Sequence, residues 1–182
     1  MKRVLYAILA LATLTMASCE KDPIGGTATE KMAGQWYVQV QGVEADGSVL
    51  YEDEDLYGIG NFWILTYNTA DNKSNEMWIS DVDKAFWNFQ VKVNCNIADA
   101  TFGVNGAEDI IGGEAVDIIN GNILYGKATT PSGMPADSIV FEVLFEDDPY
   151  AAPNEGKPGF KGAVYDHLRV SGYRYTGLVN DD

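Results

Sequence analysis

In the run 86–96, apolar and polar residues alternate without a break from Trp87 onward. Trp87, Phe89, Val91, Val93 and Cys95 fall on one side, and Asn88, Gln90, Lys92 and Asn94 on the other. Successive side chains of an extended chain point to opposite faces, so this run describes a strand with one buried face. Gln35–Gln41 repeats the pattern, with Trp36, Val38 and Val40 opposing Tyr37, Gln39 and Gln41. Ser138–Glu146 does so again, with Ile139, Phe141, Val143 and Phe145 on the apolar side. Three such strands from separate parts of the chain require a common core, and that core excludes a helical architecture.

Further strands are expected at Asn61–Tyr67, Glu76–Ser80, Thr101–Val104, Glu114–Ile119, Asn122–Ala128 and Tyr165–Thr176. Asn120-Gly121 lies between two apolar runs and reads as a tight hairpin, because both residues tolerate positive φ. Asp46-Gly47 and Asp71-Asn72 mark other turns. Some nine closely spaced strands point to an all-β antiparallel barrel or sandwich. The best helical candidate is one turn, Thr27 to Ala33, opened by a Thr27/Glu30 capping box. Glu52–Asp55 is an acidic run, and 147–159, with three prolines, is a long loop before the last strand.

The N-terminus reads as an export signal. Lys2 and Arg3 precede an apolar run from Val4 to Leu14 that is too short to span a bilayer of roughly 20 apolar residues. Met16-Ala17-Ser18-Cys19 then places small residues before a cysteine, as a lipoprotein signal peptidase requires. The expected organisation is a signal peptide over 1–18, a lipidated tether and short helical turn over 19–33, and a β domain over 34–182. Lipidation of Cys19 would tether the domain to a membrane through several acyl chains, which together anchor stably. The expected location is the cell envelope at the outer membrane. The acidic Glu20 and Asp22 beside Cys19 are compatible with display at the surface.

Charge narrows the partners. Without Lys2 and Arg3 the chain carries 10 basic and 27 acidic side chains, a formal charge of −17. Such a surface repels phosphate backbones, which argues against nucleic acid as a partner. Catalytic chemistry finds no constellation: there is no Gly-x-Ser-x-Gly elbow and only one histidine, His167. With Cys19 acylated, Cys95 is the only thiol, so zinc sets of paired Cys or His are unavailable. Asp81/Asp83, Glu52–Asp55 and Glu146–Asp148 offer oxygens but not EF-hand spacing. No catalytic residue, metal or cofactor is expected.

Gly34-Gln35-Trp36 opens the first strand directly after the expected helical turn, and this resembles the Gly-x-Trp signature of the lipocalins and wider calycin superfamily. In that fold the tryptophan plugs the closed end of an antiparallel barrel and an arginine of the last strand lies across its ring. Arg174 is in phase with Leu168, Val170 and Gly172, the inward side of the last strand, and is the expected partner of Trp36. Val170-Ser-Gly-Tyr-Arg-Tyr-Thr-Gly177 and Ala136–Asp148 are similar to a family of bacterial lipoproteins called lipid-binding putative hydrolases. The resemblance implies a calycin-like barrel of eight to nine strands that holds a lipid or other small hydrophobic molecule. The implied lining is Val38, Val40, Trp87, Phe89, Val91, Phe141 and Val143. Two alternatives stay open: a hydrolase with an unrecognised site, or a cell-surface module that takes a glycan or a protein partner through Trp63, Trp78, Tyr173 and Tyr175.

Overall fold

A computed structural model describes residues 26–50, 58–81 and 83–181. The signal segment 1–18, Cys19 and the acidic run 52–55 lie outside these described residues. Eight strands make one closed antiparallel barrel in sequence order: β1 (Gly34–Val43), β2 (Phe62–Asn68), β3 (Glu76–Asp81), β4 (Gln90–Asn96), β5 (Thr101–Glu108), β6 (Ala115–Thr129), β7 (Pro135–Phe145) and β8 (His167–Arg174). β1 closes the sheet against β8 from Trp36↔Arg174 to Val43↔His167. Closure removes the sheet edges that an open meander would expose. Gly172 makes the closing seam tight: a Cβ there would collide with the Tyr37 carbonyl and the Val38 backbone.

Two expectations need correction. Asn120-Gly121 does not reverse the chain. Asn120 has φ of 54°, but the residues on either side of it form one bent strand, β6, that pairs throughout with β7. The register shifts between Ile119 and Asn122, so the positive φ is spent on a bulge that bends a 15-residue strand around the barrel. A Cβ at Gly121 would strike the Phe102 ring, which is why glycine sits at the bend. Among the described residues the count is therefore eight strands, with two of the expected strands fused. The second correction concerns the run 86–96, whose strand starts only at Gln90. Asn88 has φ of 52°, which breaks the extended conformation and detaches Phe86 and Trp87 from the sheet. The run Thr27–Ala33 forms consecutive turns, closed by Ala33 N–H donating to Thr29 O at 3.0 Å.

Candidate functional site

The two ends of the barrel are built differently. At the end where the chain enters, Trp36 is fully buried and its Nε1–H donates to Thr66 Oγ1 at 2.8 Å. The Thr66 hydroxyl in turn donates to Met32 O at 2.6 Å, so one buried hydroxyl satisfies both the indole and the entering turn. Arg174 lies over the indole with Cζ 4.5 Å from the ring centroid. Its Nη1 donates to Ala33 O at 2.5 Å, its Nη2 to Lys31 O at 3.2 Å and its Nε to Asp137 at 3.0 Å. Gly34 is what leaves room: a Cβ there would stand 2.7 Å from Arg174 Nη1. This end is plugged.

The opposite end is covered by the connection between β3 and β4. Asp81, buried at the end of β3, accepts hydrogen bonds on one oxygen from the backbone N–H of Phe86 (2.9 Å) and Asn88 (3.1 Å). These bonds fold the loop inward, with Lys84 (φ 57°) and Asn88 at its bends. Phe86 then meets Phe62 (5.2 Å between centroids) and Phe145 (5.5 Å), and Trp87 stacks on Phe145 at 4.8 Å with an interplanar angle of 2°. Trp87 Nε1–H donates to Asp147. Trp87, placed by the alternation on the inner wall, is instead a half-buried ring of this aromatic cover. The cover was not legible in the sequence, because Asp81 read only as a candidate metal oxygen.

Between plug and cover stand the expected lining residues. Val40, Phe89, Val91, Phe141 and Val143 have no exposed surface, and Val38 has 1%. With Ile64, Ile79, Ile139 and Val170 they fill the inner space with the protein's own side chains.

The barrel exterior holds the remaining candidates. Trp63 meets Tyr37 at 4.6 Å and Tyr175 at 4.6 Å, and Tyr37 meets Tyr173 at 5.9 Å. Trp78 stands apart from these rings, opposite Tyr67 and Lys92 on its neighbouring strands. His167 begins β8 opposite Val43, while the adjacent Asp166 carboxylate is taken by Ala45 N–H. Burial, and next the charge of Glu76, push the Cys95 thiol up, which keeps it protonated and unreactive at neutral pH. Asp148 is buried and accepts the Tyr165 hydroxyl on both oxygens. Among the described residues no group of three or more His, Cys, Asp or Glu could hold a metal ion.

The comparison with known sequence families agrees with this architecture. The family described as lipid-binding putative hydrolase matches residues 21–179. The chain belongs to this family. The match takes in all eight strands, the plug and the cover, so the lipid-binding family's sequence signal runs across the whole barrel. No curated protein matches the chain.

Proposed function

We propose that this chain is a membrane-anchored lipoprotein, lipidated at Cys19 and held at the outer membrane, whose barrel binds a lipid or another small hydrophobic molecule. The observation that carries the binding is the family match across a closed barrel whose middle is walled by apolar side chains. Val38, Val40, Phe89, Val91, Phe141 and Val143 supply the inner wall, with Trp87 at its mouth. Apolar walls provide most of the affinity in such sites. Because these side chains already touch one another, a ligand's tail gains contact only where the wall parts. Binding therefore involves a local rearrangement of the wall.

The test is titration of the unacylated protein, starting at Glu20, with a fluorescent fatty-acid analogue and competition by palmitate. Saturable uptake at one ligand per chain, lost on unfolding in urea, is expected. No uptake by the folded protein overturns the reading. In cells, Cys19→Ala moves the protein from the membrane to the soluble fraction, and an unchanged membrane fraction overturns the anchor.

A second reading is favoured by the outer ring cluster of Tyr37, Trp63, Tyr173 and Tyr175. Beside it a groove of about 370 Å³ is lined by Tyr37, Gln39, Asn61, Ser138, Ser171 and Tyr173, an uncharged set of aromatic and hydrogen-bonding groups. Such a surface suits a neutral glycan. Binding on a glycan array that is lost in Tyr37→Ala supports it, and a blank array removes it.

A further inference from the structure

The barrel wall is loosely fastened at one seam. β4 and β5 are laddered only at one end, through Asn94↔Gly103, Cys95↔Phe102 and Asn96↔Thr101. They meet again where the Ile110 N–H donates to Gln90 O at 3.0 Å and the Gln90 N–H donates to Asp109 Oδ1 at 2.8 Å. Between these fastenings the three residues Val91–Val93 face the six residues 104–109. β5 instead follows β6, through two register shifts and a positive φ of 58° at Gly106. The backbone bonds of Phe89 and Cys95 run toward β3 and those of Gln90 toward Ile110. By the alternation of antiparallel ladders, the N–H and C=O of Lys92 therefore point into the gap, where they have no ladder partner.

A groove of about 420 Å³ occupies this gap, within the roughly 300–1,000 Å³ of small-molecule sites. Trp78, Val104, Ala107 and Ile110 give it apolar sides, and Val93 borders it from the inner wall with 1% exposure. Ile110, 55% exposed, leaves apolar surface open at the edge of the groove. Glu76 and Glu108 also border the groove. Glu76 is already shared by the Thr69 hydroxyl at 2.7 Å and by Lys73 and Lys92 at 3.8 Å. The Lys92 ammonium, 53% exposed and 3.8 Å from Glu76, is thus only loosely engaged.

We infer that the β4–β5 seam is the binding portal for a single-chain lipid with an oxyanion head, whose tail lies against Trp78, Val104, Ala107 and Ile110 and reaches Val93, with the head at Lys92. The inference rests on the lipid-binding reading and locates it. One barrel end is closed by Trp36 under Arg174 and the other by packed aromatic rings, whereas the seam lacks ladder hydrogen bonds and parts without unpacking either. The Lys92 ammonium and backbone N–H supply the donors that a carboxylate or phosphate needs.

The test uses the unacylated protein and palmitate, followed by displacement of the fluorescent analogue and by tryptophan emission. Ala107→Trp fills the groove from its half-exposed side and is expected to weaken palmitate binding at least about tenfold. Lys92→Gln, an exposed change that leaves the fold intact, is expected to weaken palmitate about five- to tenfold and to leave hexadecanol unchanged. A blue shift of emission on binding, absent in Trp78→Phe, is the third expected result. If the wild type binds palmitate and both Ala107→Trp and Lys92→Gln bind it equally well, the seam is refuted while lipid binding stands. If the wild type binds no palmitate, both fall.

Discussion

Replacing Arg174 with methionine isolates what the plug contributes, because methionine keeps the length and apolar stem and removes the guanidinium. Four interactions go at once, of which the exposed hydrogen bond to Lys31 O at 3.2 Å adds least. The stacking over Trp36 at 4.5 Å is worth about 1 kcal/mol for a guanidinium whose side chain is 29% exposed. The hydrogen bond to Ala33 O comes from a charged donor and contributes about 1.5 kcal/mol. The ion pair with Asp137 is screened at this exposure and adds about 0.5 kcal/mol. The loss is therefore about 3 kcal/mol, which for a domain of this size lowers Tm by about 6–12 °C. Urea unfolding of the unacylated protein, followed by far-UV circular dichroism, measures the first figure directly. A double-mutant cycle with Trp36→Leu should return a coupling of about 1 kcal/mol, because the planar guanidinium lies against the indole face and leucine offers no aromatic face. A loss below about 1 kcal/mol, or a coupling indistinguishable from zero, would refute the plug as a stabilising unit.

Other perturbations address the remaining parts. Thr66→Val removes the hydroxyl that serves Trp36 Nε1 and Met32 O, leaving both without a partner in a buried position, and should cost about 1–3 kcal/mol in urea unfolding. Asp81→Ala frees the Phe86 and Asn88 N–H groups, so amide exchange in 83–88 should accelerate while the strands stay protected. Equal acceleration throughout the barrel would show that the cover is no separate unit. Burial pushes the Asp181 carboxyl up, but hydrogen bonds from Thr176, Ser132 and Thr130 outweigh it and hold it at about 2, below its usual 3.8. A lowered value means that the C-terminal contact is fully present above about pH 4 and is lost as pH falls toward 2. The Ser132 amide resonance should therefore titrate with a midpoint near 2, and a midpoint at or above 3.8 contradicts the contact.

Strand periodicity carried most of the architecture into view, because a half-buried strand must alternate and Val38, Val40, Val91, Phe141 and Val143 could face only one way. The pairing of Trp36 with Arg174 came from the resemblance of Gly34-Gln35-Trp36 to the Gly-x-Trp signature, with Arg174 in the inward phase of the last strand. What escaped was whatever depends on a single backbone angle or on contacts distant in sequence. The positive φ at Asn88 ends a run that looks continuous, and so moves Trp87 from inner wall to cover. The positive φ at Asn120 bends a strand where the same residue pair more often reverses one. The β4–β5 seam was not legible, since the alternation on the β5 side stops at Val104 and nothing in the sequence shows β5 running on to Glu108 along β6. It arises from where β5 takes its hydrogen bonds.

Native mass spectrometry of the protein purified from the cells that make it tests the central claim most directly. The account predicts ions heavier than the covalent polypeptide by the mass of one single-chain lipid, which dissociate on mild activation and return when palmitate is added. Ions of the bare covalent polypeptide alone, unchanged under excess palmitate, would contradict it.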